Sequence, residues 1–583
     1  MNRIIYLTQS VFFFFFFVSG CNDPLDKENL TAISTEDVYT IPDVAEAYVN
    51  DIYASFMPSI NVGQGADCDE AMRGTNVSLI SGYLNGTITS DSYNYYPYSG
   101  IRNMNIFLSG IDGATFEASV KNRLKGEILF WRAWAYFNMV KVYGGVPLIL
   151  DPASPTDDAA VFVPRSTTSA CFAQILADLD DAIDLLPDPS GNARIDKAVA
   201  MAFKGRVALF QASPQFNRGG NASLWQAAYD ANKAAVNYLD GQGKGLLEQF
   251  DQLWLDEMNK EVIMVRRYSY PEATNGYSQV CVMPLKYGES GCAHGNQPSL
   301  ELVNAFPMKD GSKWDPDAMD YAALYQNRDD RFYYTVAYNG ADPYLKPMFN
   351  NENMWTYFYD KDGDPSTGIN GKEIRADFLD GFESLSGFYT PKMMDPNLDA
   401  VNKLDGEIDW IEIRYGEVIM NLAEAANEAN NSGEALDILY RIRERAGIEA
   451  GDNGKYGITA SSKEEIRQVI RDERFVEFAF ENKRFWDLRR WRIYKSRMEG
   501  LEGGVRHGLR VEWAGPPAER PTGLENIEEI WDQFDVTVIE DVQPITMLEE
   551  DQYSFFGIPA TYLDRNSKLE QNNTWGGTFD PLQ

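Results

Sequence analysis

Between Lys121 and Pro147 the chain reads KNRLKGEILFWRAWAYFNMVKVYGGVP. Leu124, Ile128, Trp131, Ala135, Met139 and Val142 recur at three- and four-residue spacing, which places them along one side of a helix. Phe130, Trp134, Phe137 and Val140 cover much of the other side. A helix apolar on both sides has to be covered on both, so this one belongs inside a helical assembly. Gly144-Gly145 and Pro147 supply its stop. A membrane span does not fit, because only about sixteen residues are apolar against roughly twenty needed. Arg132 and Asn138 also interrupt the run.

The same period recurs elsewhere. Val44, Ala47, Tyr48, Ile52 and Phe56 predict a helix over 43–56. Helices are predicted over 169–186, 197–211, 224–239, 410–429 and 433–446, arranged as pairs with short turns and small residues where they cross. The pairs read as degenerate tetratricopeptide-like repeats without a strict period. Ser462 and Glu465 form a capping box that opens a helix continuing to about Trp491. Residues 61–100 and 241–408, and the chain after Arg492, lose helical period. Strand-like runs at 262–268 and 331–338 are the exceptions. The predicted fold is mainly all-α, a helix-hairpin scaffold with long, ordered, aromatic-rich loops over one face, and loops of such length are usually functional.

Composition narrows the function. A formal net charge of −35 argues against nucleic acid, whose phosphates need clustered Lys and Arg. It also disfavours polyanionic ligands unless a local basic pocket overrides it. Aromatic residues make up 13% of the chain, with 32 Tyr, and many lie in polar, turn-rich stretches rather than periodic ones. Residues 1–20 combine Arg3, a short apolar run and small residues, as a secretory signal does. Val18-Ser19-Gly20-Cys21 resembles a bacterial lipobox, which makes Cys21 the lipidated first residue of the mature protein. Residues 21–34 then form a flexible tether, and 35–583 a single domain with an N-terminal helical part (about 35–240), a loop-rich middle (241–408) and a C-terminal helical part (409–583). Of the other cysteines, Cys281 and Cys292 are close enough in sequence to close a short disulfide loop in an oxidising compartment.

No catalytic constellation stands out. His294 and His507 are too few for a metal cluster or triad, and no nucleophile elbow, zincin or nucleotide-binding motif is present. Asp360, Asp362 and Asp364 begin a calcium-loop pattern that Pro365 and Gly371 break, so a solvated acidic turn is the better reading. Arg471, Glu473, Arg474, Glu477, Glu481, Arg484, Asp487 and Arg490 alternate in charge at helical spacing, which predicts a structural ion-pair network. No cofactor or metal is implied.

Four blocks carry a resemblance: RAWAYFNMVKVYGGVPLI, EIRYGEVIMNLAEAANEA, ERFVEFAFENKRFWDLRRW and GIPATYLDRNSKLEQN. In this order they resemble the SusD/RagB-type outer-membrane nutrient-binding lipoproteins over nearly the whole mature chain. Asn482 stands where that family usually has glycine, and Ser567 and Asn573 where proline is common. The resemblance implies a non-enzymatic, lipid-anchored protein at the cell surface that captures a glycan, sometimes a peptide. It also implies a partner, a SusC-like TonB-dependent outer-membrane transporter. Ligand sites in the family lie on variable loops, so only regions carry over: the segment after Asp69-Glu70 up to Tyr98, and roughly residues 283–360. The alternative is a lipid-anchored glycan-degrading enzyme on an α/α scaffold.

Sugar rings have apolar faces and hydroxyl edges, so a site pairs flat aromatics with hydrogen-bonding side chains. Residues 69–98 supply both, in Tyr83, Tyr93, Tyr95 and Tyr96 beside Asp69, Arg73, Asn85 and Asn94. Trp355 and Tyr357 are the candidates from the middle loops. The anchor gives the first test. Two or three acyl chains hold a protein stably at a bilayer where one does not, so Cys21→Ala is expected to move the mature protein from the membrane fraction to the soluble fraction. Retention after detergent-free washes would contradict the lipobox.

Overall fold

The computed structural model describes residues 35–60, 63–72, 81–152, 154, 156–157, 161–189, 191, 193–275, 296–317, 324–341, 352–360, 373–375, 384–394, 406–541 and 544–583. The signal segment with Cys21, Arg73, Cys281, Cys292, His294 and the acidic turn beyond Asp360 lie outside them. Cys68 and Cys171 are buried free thiols.

The apolar helix runs from Ala118 to Tyr143, with Trp131, Tyr136 and Tyr143 fully enclosed. Helices Pro42–Phe56, Tyr98–Ile111, Thr168–Leu185 and Lys197–Ala212 pack around it. Two polar residues within the apolar run find partners. Arg132 donates from Nε and Nη2 to Asp178 at 2.8 and 2.7 Å, and Asn138 Nδ2 donates to the Trp134 carbonyl at 2.9 Å. Helix Lys197–Ala212 lies close on Ala222–Gly241 because Gly205 leaves room, since a Cβ there would come 2.4 Å from Asn232 Oδ1. Asn232 returns a bond from Nδ2 to the Gly205 carbonyl at 3.0 Å.

The third pair differs from the sequence reading at its start. Trp410–Arg414 is a strand, paired antiparallel with Val262–Arg266, and the helix begins only at Tyr415. Ile411 and Ile413 are β-branched and alternate with Glu412, which suits the pleat once a partner strand lies beside them. Helices Tyr415–Glu428 and Ser432–Arg445 then form the hairpin. The capping box at Ser462 and Glu465 forms as expected. Its helix ends at Glu477 rather than Trp491, because Phe480 and Asn482 take left-handed φ of 63° and 57°. A second short helix covers Arg484–Arg490.

Described segments of the loop-rich middle also pack into a core of their own. Leu302, Phe306, Phe332, Trp355, Tyr357, Tyr389, Leu509, Trp513 and Phe534 join a second hydrophobic core. The run predicted as a strand at 331–338 contains helix Asp330–Thr335, whose N-cap Asp329 accepts a bond from the Phe332 amide. His507–Trp513 and Phe534–Glu540 pair antiparallel from His507↔Glu540 to Trp513↔Phe534. Phe358–Asp360 and Glu373–Arg375 complete that four-stranded sheet.

Buried charges join the two cores. Arg414, 1% exposed, donates from Nη1 to Glu261 at 2.7 Å and to Glu477 at 2.8 Å, and from Nε to Glu481 at 2.8 Å. Glu477 also receives Arg331, from the second core, at 3.0 Å, and Arg445. Lys392 donates to Glu481 at 2.8 Å. Burial works against every one of these charges. The surrounding guanidinium groups nevertheless hold the Glu477 carboxyl well below its usual range. Arg474, three residues before Glu477 in the same helix, is paired instead with Asp487.

Removing Glu477 would leave three guanidinium groups short of a carboxylate, so Glu477→Ala is expected to cost about 3–5 kcal/mol in urea unfolding. The depressed carboxyl fixes the sign with pH. Its contribution is fully present above the usual Glu value of 4.5 and is lost as pH falls through the lower folded value. The gap between wild type and variant should therefore narrow in acid. An equal gap at every pH would contradict the network.

Candidate functional site

The aromatic loop 81–98 folds onto the C-terminal tail and the Arg484–Arg490 helix. Tyr83 packs against Phe485 and Phe556 with ring centroids 5.4 and 5.7 Å apart. Tyr93 stacks on Phe556 at 5.6 Å and meets the edge of Trp486 at 5.9 Å. Tyr96 stacks on Tyr562 at 4.3 Å, and the Tyr562 hydroxyl donates to Asn94 Oδ1 at 2.8 Å. The Tyr143 hydroxyl binds the loop from beneath, accepting from the Tyr95 amide and donating to the Tyr93 carbonyl, both at 3.0 Å. Asn85 Oδ1 accepts from the Thr87 amide at 3.1 Å and so closes a turn. Tyr83, Tyr93, Tyr95 and Tyr96 stay half-buried, and Asn94 is exposed.

Three predicted residues lie elsewhere. Trp355 and Tyr357 are each 1% exposed inside the second core. Their polar atoms donate to the carbonyls of Gly523 at 3.1 Å and Pro521 at 2.6 Å. Turn-rich surroundings suggested a surface position, but these rings close the core against the 521–525 loop. Asp69 is fully buried between Arg484, which donates at 2.9 and 2.6 Å, and Arg497 at 2.7 Å. Burial opposes its charge, yet the Arg484 and Arg497 guanidinium groups hold the carboxyl well below the usual range. Asp69 is thus an internal fastener of the loop base. Its neighbour Glu70 accepts from the Phe480 amide at 2.9 Å, and burial pushes its carboxyl up to about 7.

The two sequence regions expected to contribute together do meet at their bases. Met72 pairs with Gln297 and Ala71 with Pro298, and the Gly63 amide donates to Asn296 Oδ1 at 2.9 Å.

Tyr93 also borders a cavity of about 270 Å³. Trp134, Phe137 and Trp486 give it flat apolar walls, and Gln64, Asn138, Asn421 and Asn482 give it planar amides. Helix Ala118–Tyr143 delivers Trp134, Asn138 and Lys141 at spacings of four and three, so they share one face. Left-handed Asn482 turns the chain between the two C-terminal helices at the opposite wall. Lys141 Nζ sits 4.0 Å from the centre of the Trp486 ring, and burial pulls its pKa down to about 7 against the opposing charge of Glu412. Gln64 Oε1 has no hydrogen-bond partner. The cavity's carboxylates are committed. Arg206 binds Glu412 and Glu417, each at 2.7 Å, and Arg474 binds Asp487 at 2.9 Å. Despite burial, Arg206 and Lys483 keep Glu412 and Glu417 below their usual range, so neither is held protonated as a glycosidic acid.

Such a site can receive a small polar ring with apolar faces. The sequence reading singled out none of Lys141, Trp486 and Asn421. The signal was there in Asn138 and Lys141, polar residues on one face of an otherwise apolar helix.

The SusD family model matches residues 260–575, and a model described as starch-binding associating with outer membrane matches residues 60–209. A SusD-like protein of Formosa agariphila is 22% identical over 503 residues, covering 81% of this chain and 88% of its own length. One from Bacteroides ovatus is 22% identical over 411 residues, covering 68% and 64%. Among solved structures, a SusD-like protein of Bacteroides fragilis superposes with a TM-score of 0.70 at 25% identity, covering 94% of this chain and 99% of that one. A SusD-like carbohydrate binding protein of the same species gives 0.69 at 20% identity, with 91% and 99% covered. With more than half the chain matched and the mainly α-helical fold shared, the protein belongs to the SusD family.

Proposed function

We propose that the protein is a non-catalytic glycan-binding lipoprotein of the outer-membrane surface, which captures an oligosaccharide and delivers it to a partner TonB-dependent transporter. The carrying observation is the Tyr93 cavity, where aromatic walls and planar amides converge on a space of about 270 Å³. Membership of a carbohydrate-binding family supports the same reading. The proposed attachment is the lipid on Cys21, and among the described residues no helix is long and apolar enough to cross a membrane. Tyr93 lines the cavity, and Tyr83, Asn85, Asn94, Tyr95 and Tyr96 of the same loop are the further candidate contacts.

Each ring stacked on a sugar contributes on the order of 1 kcal/mol, by analogy with aromatic pairs. Association costs several kcal/mol, so a few rings give roughly micromolar to millimolar affinity. Weak capture suits a receptor that must release its ligand to a transporter.

Calorimetry against the oligosaccharide selected on a glycan array is the test. Trp486→Ala and Tyr93→Ala are each expected to weaken binding about tenfold, a loss of about 1.4 kcal/mol. Trp355→Ala should instead destabilise the fold by about 3–5 kcal/mol as a buried aromatic truncation. Unchanged affinity in both cavity variants would place the site elsewhere. Shortening of the glycan during incubation would favour the enzyme alternative.

A further inference from the structure

A larger cavity, about 430 Å³, opens where helix Lys463–Glu477 meets the chain around Asn304 and Trp314. Five cationic side chains line it, Lys313, Arg443, Arg471, Arg484 and Arg497, against two carboxylates, Asp472 and Glu473. Both carboxylates are already engaged. Glu473 is held by Arg331 at 2.7 Å and Arg443 at 2.9 Å, and Asp472 by Lys313 at 2.9 Å. Arg484 and Arg497 share the single carboxylate of Asp69.

Arg471 stands apart from the other charges of its helix. It makes no ion pair, its guanidinium lies 5.2 Å from the centre of the Trp491 ring, and its Nε has no hydrogen-bond partner. Three more lining residues carry polar atoms without a hydrogen bond: the indole Nε1 of Trp314, a side chain only 5% exposed, is a donor, whereas Asn304 Oδ1 and Glu473 Oε1 are acceptors, the latter facing Arg331. A buried donor without a partner costs free energy that a ligand acceptor would recover. The cation excess is local, since the whole chain carries −35. A confined patch of opposite sign in an acidic molecule selects for charge at one point of a ligand rather than for a polyanion along its length.

We propose that this cleft is a subsite for the anionic substituent of an acidic saccharide, a uronate carboxylate or a sulfate ester, received by Arg471 with Lys313 and Arg497. Guanidinium geometry matches either oxyanion through paired N–H donors, and the Trp314 indole N–H adds a neutral one. The inference rests on the glycan-capture reading and adds to it the charge class of the ligand.

Titration calorimetry of the full mature chain tests it with two acidic probes, an oligogalacturonate and a sulfated oligogalactan. Each is compared with its uncharged form, methyl-esterified or desulfated, and with free inorganic sulfate. At least one acid form is expected to bind tenfold or more tightly than its uncharged form. That difference should shrink in 0.5 M salt and fall to within twofold in Arg471→Gln, with a smaller loss in Lys313→Gln. Lys313 is 82% exposed, so the second variant keeps the test independent of folding. Acid and uncharged forms binding alike in the wild type would overturn the subsite and leave glycan capture standing. Free sulfate binding as tightly as the acidic saccharides would show an anion site with no saccharide requirement, and would overturn it as well.

Discussion

Arg414 is a charge with no access to water, and much of the structure follows from satisfying it. Its guanidinium is surrounded by Glu261, Glu477 and Glu481 and lies over the Phe478 ring at 4.7 Å. An unpaired buried charge would be intolerable, so each carboxylate must be brought in from its own element. Glu477 closes the Lys463–Glu477 helix, Glu481 sits in the turn after it, and Glu261 precedes the Val262–Arg266 strand. Even Gly416 is explained, because a Cβ there would come 2.3 Å from Arg414 Nη1. Arg331 and Lys392 extend the same network into the second core. Buried charge of this kind adds little net stability but specifies one arrangement of the parts around it.

The arrangement decides where recognition can occur. Helix Ala118–Tyr143 serves the first core on most of its surface, yet it turns Asn138 and Lys141 to a cavity. Loop tyrosines from 83 to 96 are held by packing on Phe485, Phe556 and Tyr562, which fixes their orientation at low entropic cost before any ligand arrives. Held in this way, the loop would present its rings to the proposed glycan beside the amide-lined hollow that Tyr93 borders. The proposed subsite in the separate basic cleft would add selectivity by charge.

Helices that obey the 3.6-residue period were legible in the sequence, most clearly Ala118–Tyr143 and the capped helix from Ser462. What was not legible depended on partners distant in the chain. Trp410–Arg414 is too short for the alternation of Ile411 and Ile413 to stand out beside the helix it adjoins, and its partner strand Val262–Arg266 lies far away in the chain. His507–Trp513 alternates Leu509, Val511 and Trp513 inward, a period too short to stand out among glycines and prolines. Trp355 and Tyr357 were misplaced because a core assembled from turn-rich segments carries no periodic signature. The charge pattern from Arg471 to Arg490 did disclose the ion network. Its single unpaired member, Arg471, could be recognised only once the partners of the others were known.

Buried charge locks the two hydrophobic cores into one cooperative body. Differential scanning calorimetry of the mature protein near neutral pH tests it most directly. A single transition whose calorimetric and van't Hoff enthalpies agree is the expected result. Two resolved transitions, with the core around Trp355 melting apart from the core around Trp131, would contradict it.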